Sequence, residues 1–250
     1  MKHIKSLTVI ATLLLVTSVQ AAEVRVAVAA NFVQTMKEIA AGFEKDTGHK
    51  ITMSQGATGK FYAQIVNGAP FDILLSADDE TPTRLVSEGK AVAGSQFTYA
   101  IGRLVLWSPD DKLVDEGGGV LKTDKFRHLS IANARVAPYG RAAVQVMQKL
   151  GVLGRIEPRV VQGENISQTF QFVTTGNAQL GFVAMSQVFE QGKMKPGSAW
   201  VVPEAMHEQL KQDAVLLNPG KDSAAAASFL AYLKSDKAKK TIEAYGYKVN

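Results

Sequence analysis

Cysteine is absent from the 250 residues, which excludes a disulfide framework, a thiolate nucleophile and any cysteine-based metal site. Long apolar runs are missing beyond the first residues: no later stretch approaches the roughly 18 residues that a membrane-spanning helix needs. The histidines are few and scattered, at His3, His49, His128 and His207, without the spacing of a metal site. No G-x-S-x-G elbow, Walker loop or dinucleotide fingerprint occurs, and there is no internal repeat. A strong charge imbalance is missing too. The formal charge of +5 falls to about +3 if Lys2 and Lys5 are removed with the amino-terminal segment, too mild to imply nucleic acid as a partner.

The amino terminus carries a basic start at Lys2 and Lys5, an apolar stretch from Leu7 to Val16, and Val19 and Ala21 before the expected cut. That is the pattern of a cleavable secretory signal, residues 1–21, and it predicts export. Its apolar run is too short for a spanning anchor. The remaining residues are enough for one large domain or two of about 100 residues each.

Glu23–Ala30 alternates β-branched and small residues, Asn31 follows as a cap-type residue, and Phe32, Met36, Ile39, Ala40 and Phe43 then recur at helical spacing. The unit repeats. A strand at Lys50–Ser54 precedes a helix opened by Gly56 to Gly59, and a buried strand at Phe71–Ser76 precedes a helix begun by Thr81 and Pro82. This alternation predicts the α/β class, with sheets covered by helices. Thr98–Trp107 is long for one strand, which predicts a segment leaving one domain for another, with a hinge near Ile101 and Gly102. The second domain is expected to hold strands at 128–132, 159–161 and 180–184, with helices over 140–150 and from Ser167. Asp213–Leu217 is expected to return to the first domain, followed by helices at 223–234 and 237–245. The expected division is residues 22–100 with 215–250 in one lobe and 101–214 in an inserted second lobe, with a ligand cleft between them.

Small, hydroxyl and amide residues recur where strands run into helices: Ala29, Ala30 and Asn31; Gly56 to Gly59; Pro138, Tyr139 and Gly140; Glu164, Asn165 and Ile166. Such places expose unpaired N–H groups at the positive end of the helix dipole, which suits an anion. Each is also what an ordinary helix cap looks like. Asp72, Asp78, Asp79 and Glu80 bring carboxylates together, a pattern open to acid–base or cation chemistry; the position of Asp78 to Glu80 around the start of the Thr81 helix favours dipole compensation instead. Arg141 follows one candidate anion site.

The segments A-V-A-A-N-F, I-T-M-S-Q-G-A-T-G-K-F-Y-A-Q-I, G-A-P-F-D-I-L-L-S-A-D, V-A-P-Y-G-R-A-A and L-G-F-V-A resemble, in order and spacing, the molybdate-binding proteins of ABC transporters. The resemblance spans nearly the whole mature chain. It implies a two-lobed periplasmic binding protein fold of type II, α/β, with a ligand cleft between two parallel or mixed-sheet domains. It implies a periplasmic monomer, not an enzyme, that carries molybdate, with tungstate, to an ABC-transporter permease without a cofactor or a metal cation. The contacts it implies are the Ala30 backbone, Asn31, Thr58, the Tyr139 backbone amide and Ile166. One branch of the family places a tyrosine where this chain has Ala184. A fully deprotonated dianion presents only acceptor oxygens, so a pocket of donors suits it, whereas a protonated phosphate also wants a carboxylate. Other readings on the same scaffold are a binder of sulfate or another oxyanion, an exported transferase, and a sensor that docks on a membrane receptor.

Overall fold

The apolar, β-branched runs form two separate sheets. The computed structural model describes residues 21–249, so the expected signal peptide lies outside the described residues apart from Ala21. Strands β1 (Glu23–Ala29), β2 (Lys50–Gly56), β3 (Ile73–Leu75) and β4 (Phe97–Gly102) enter the first sheet. Between them run α1 (Val33–Thr47), α2 (Thr58–Val66) and α3 (Glu80–Ser87). The second sheet begins with β5 (Leu104–Ser108) and continues with β6 (Leu129–Ala132), β7 (Val160–Gly163) and β8 (Leu180–Ala184). Its helices are α4 (Pro138–Lys149), α5 (Leu153–Ile156), α6 (Ile166–Thr174) and α7 (Met185–Val188). After a small hairpin, β9 (Phe189–Glu190) and β10 (Lys193–Met194), strand β11 (Ser198–Val201) closes the second sheet. Strand β12 (Leu210–Leu216) then returns to the first, and α8 (Ala224–Leu233) and α9 (Asp236–Ala244) complete the chain.

The sheet orders are β2-β1-β3-β12-β4 and β11-β5-β8-β6-β7. In the first, β1 is parallel to β2 and β3, while β12 is antiparallel to β3 and β4. In the second, β6 is parallel to β7 and β8, while β5 runs antiparallel to β8 and β11. Mixed sheets of this kind are what a chain that leaves and re-enters a lobe must make.

The expected long strand at Thr98–Trp107 divides at Arg103, and its halves join different sheets. The return differs from expectation. Asp213 does not mark the crossing but sits inside β12, where its carboxylate accepts from Gln96 Nε2 and Thr98 Oγ1, both at 2.7 Å. The chain therefore crosses back between Val201 and Leu210, and 210–214 belongs with the first sheet. The start of β12 reads Leu-Lys-Gln-Asp, with too few apolar residues to announce a buried strand, and a register shift between Gln212 and Asp213 interrupts its pairing further. Two starts also move. Asn31 lies inside a short 3₁₀ turn, Ala30–Phe32, and caps nothing; α3 begins at Glu80, and the Thr81 N–H is taken by Asp78 Oδ1 at 3.1 Å.

Candidate functional site

Each strand that points at the gap between the lobes ends in small residues, so the following helix starts close to the opposite lobe. Ala29, Ala30, Ala57 and Ala77 from the first lobe pack in one apolar cluster with Leu104, Ile131, Ala137, Tyr139 and Ile166 of the second. The lobes are in contact across the cleft. Gly59 N donates to Val136 O at 2.9 Å, Ser167 Oγ to Ala30 O at 3.1 Å, and Arg141 to Asp78 at 3.1 Å. Lys60 pairs with Glu164.

Where four helix starts meet, the loops border a half-open cavity of about 10 Å³, lined by Ala30, Asn31 and Thr58 from one lobe and Tyr139, Asn165 and Ile166 from the other, among others. All five residues expected at the site are therefore brought together, and all five are buried. Their N–H groups fall in the first turns of helices, where the helix itself supplies no acceptor. No side chain among the described residues accepts from the N–H of Thr58, Tyr139 or Ile166, and these groups open the helices that border the cavity. Buried N–H groups without an acceptor are rare in native proteins. Helix starts converging on one small cavity make a donor set suited to an anion.

Side chains refine the picture. Thr58 Oγ1 accepts from Ala77 N at 3.1 Å, which leaves its proton free to donate. Asn31 Nδ2 gives its hydrogens to Gln212 Oε1 at 2.8 Å and Tyr247 OH at 3.0 Å. The Tyr139 hydroxyl points away from the cavity and accepts from Gln212 Nε2 at 3.1 Å. It lies against Gly102, where a Cβ would come within 2.2 Å of it, so the hinge strand needs a glycine there. Burial pushes the Tyr99, Tyr139 and Tyr247 hydroxyls well above the ordinary tyrosine range, so all three stay neutral and able to both donate and accept.

The acidic residues are all engaged elsewhere. Asp72 is held by Arg25, through its backbone N–H at 2.8 Å and its guanidinium at 2.9 Å; Asp78 takes Ser76 Oγ at 2.9 Å and Arg141. Glu164 is bound to Lys60, so no carboxylate is presented as an acceptor to the cavity. At the position of the missing tyrosine, Ala184 N donates to Gln187 Oε1 at 3.0 Å, and Gln187 Nε2 donates to Ile166 O at 3.0 Å. This bridge fixes the start of α6. Among the described residues no cluster of three or more His, Asp or Glu could hold a metal ion. Gln212, Tyr99, Tyr247 and Ser186, which surround Asn31, carry no motif and come from distant parts of the sequence.

The model of the bacterial extracellular solute-binding proteins matches residues 24–248. The chain belongs to that family. It is 57% identical over 234 residues to the molybdate-binding protein of Azotobacter vinelandii, covering 94% of this chain and 93% of the relative. It is 53% identical to that of Rhodobacter capsulatus, covering 91% and 88%. A solved periplasmic molybdate-binding protein of Azotobacter vinelandii superimposes with a TM-score of 0.88 at 41% identity, covering 91% of this chain and 99% of that one. A sulfate-binding protein of Mycobacterium tuberculosis shares the fold, with a TM-score of 0.70 at 12% identity. A solute-binding protein of this family acts outside the cytoplasm, in keeping with the expected export.

Proposed function

We propose that this chain captures molybdate, and tungstate with it, in the periplasm and delivers it as a monomer to the permease of an ABC transporter. The observation that carries the reading is a cavity bordered by helix starts and free of carboxylates. Helix starts from both lobes and the Thr58 hydroxyl border one compact space with no carboxylate among its lining residues. A dianion with four acceptor oxygens satisfies these donors, and each charge-assisted bond is worth about 1.5 to 3 kcal/mol. Proteins 57% and 53% identical to this one are molybdate-binding.

Calorimetry of dialysed protein against molybdate, tungstate, sulfate and phosphate tests it. Molybdate and tungstate should bind one to one, with a dissociation constant of about 1 μM or tighter, which corresponds to about 8 kcal/mol or more. Sulfate and phosphate should bind far more weakly. Equal affinity for phosphate would mean that the site supplies an acceptor, contrary to the assignment of Glu164 to Lys60.

A further inference from the structure

Gln212 is fully buried in β12 and touches three elements at once. Its Oε1 accepts from Asn31 Nδ2 at 2.8 Å and from Tyr99 OH at 3.1 Å, and its Nε2 donates to Tyr139 OH at 3.1 Å. Tyr247 OH lies 3.0 Å from Asn31 Nδ2 and 2.9 Å from Asn31 O. Every partner of this amide pair other than the pair itself is a tyrosine hydroxyl, which can donate or accept. The two carboxamides can therefore turn over together with every bond among themselves and the tyrosine hydroxyls kept, while Tyr247, with a single proton, gives up its bond to Asn31 O, which Ser186 Oγ still serves at 2.8 Å. Gln212 Nε2 then donates to Asn31 Oδ1 and Tyr99 OH, Tyr139 OH donates to Gln212 Oε1, and Tyr247 OH donates to Asn31 Oδ1. Tyr99 OH keeps Ser76 O, 2.9 Å away, as its acceptor.

The two arrangements differ at the cavity. In the first, both hydrogens of Asn31 are committed inside the protein and Oδ1, to which no group among the described residues donates, is the carboxamide atom left for the cavity that Asn31 lines. An acceptor there opposes an anion. In the second, Nδ2 is released to donate. We infer that Gln212 is a positioning residue for oxyanion binding, the hub of a two-state amide relay that the anion turns so that Asn31 presents Nδ2, with Tyr139 linking the same relay to the second lobe. This rests on the oxyanion reading above. A ligand shifts such a pair by its differential affinity for the two states.

Three variants separate the relay from charge and from packing. Gln212→Glu keeps an acceptor for Asn31, Tyr99 and Tyr139 but cannot donate, which fixes Asn31 Nδ2 inward; molybdate affinity should fall by about tenfold or more. Gln212→Met loses every hydrogen bond yet leaves Asn31 free to turn, and should lose only about threefold. In an Asn31→Ala background the gap between the two variants should close, because no carboxamide remains to be oriented. A gap that persists there means that carboxylate repulsion alone acts, and Gln212→Met weaker than Gln212→Glu means that the bonds matter only for structure. Either outcome overturns the relay while leaving molybdate binding intact. If the wild-type chain takes no molybdate, the oxyanion reading and the relay fall together. Should Gln212→Met not fold, ¹⁵N spectra of wild-type side-chain amides decide: molybdate should shift the Asn31 and Gln212 NH₂ resonances together, and movement of one without the other overturns the proposal.

Discussion

Thr58 combines two donors at one position, its N–H and a hydroxyl proton left over after Oγ1 accepts from Ala77 N. Thr58→Ala should weaken molybdate binding by about 1.5 to 3 kcal/mol, roughly ten- to a hundredfold in calorimetry, while the loss of the bond to Ala77 costs about 1 kcal/mol of stability. Tyr139→Phe should behave oppositely. The hydroxyl serves Gln212 and not the cavity, so thermal stability should fall through the stranded Gln212 amide while affinity changes less than for Thr58→Ala. A larger affinity loss for Tyr139→Phe would place its side chain at the anion. The four strand-to-helix loops that border the cavity were legible in the sequence because small and polar residues ahead of helices leave a recognisable local mark, whereas the choice of Ala30, Asn31, Thr58, Tyr139 and Ile166 within them came from the family resemblance. Gln212 was not legible, because a buried glutamine in a strand has no local signature; its meaning comes from Asn31 and Tyr139, which lie far from it in the chain.

Helix starts carry the binding geometry, and their approach across the cleft depends on what the backbone leaves room for. Gly59, in the first turn of α2, donates to Val136 O, and a Cβ there would stand 3.0 Å from Val136 Cα and 3.2 Å from its carbonyl oxygen. Contacts this tight require the Val136 backbone to give by a few tenths of an ångström. Gly59→Ala should hold α2 away from the second lobe and raise the molybdate dissociation rate by about tenfold or more, because affinity changes within one interface lie mostly in dissociation; stopped-flow displacement with excess tungstate would measure it. An unchanged rate would show that α2 and Val136 do not need this contact when closed. The neighbouring Lys60–Glu164 pair, with both side chains about half exposed, adds at most about 1 kcal/mol. Helices and strands were legible to within a residue or two wherever apolar periodicity was strong, as at Leu180–Ala184. The start of β12 was hidden because lysine, glutamine and aspartate occupy a strand whose polar groups are satisfied only by tertiary partners such as Gln96 and Thr98.

At the scale of the whole molecule, the site exists only when the lobes meet, since Thr58 and Tyr139 belong to different sheets' helices and share one cavity. Molybdate should therefore draw an open population to the closed form, lowering the radius of gyration in small-angle scattering. The bend is expected at Arg103, between β4 and β5, and between Val201 and Leu210. An unchanged radius on saturation would mean a preformed site. The two-lobed division was legible from the over-long strand at 98–107, whereas the position of the return depended on long-range pairing. The order β2-β1-β3-β12-β4 also sets a timetable. Strand β4 has no neighbour in its sheet other than β12, which follows in the chain only after all five strands of the second sheet. As the polypeptide emerges from a translocation channel amino end first, the inserted lobe has its full complement of strands while the first is still waiting for the piece that fills its gap. The lobe that begins the chain is thus the last to be finished, and during that interval the unpaired edges of β3 and β4 are open to aggregation.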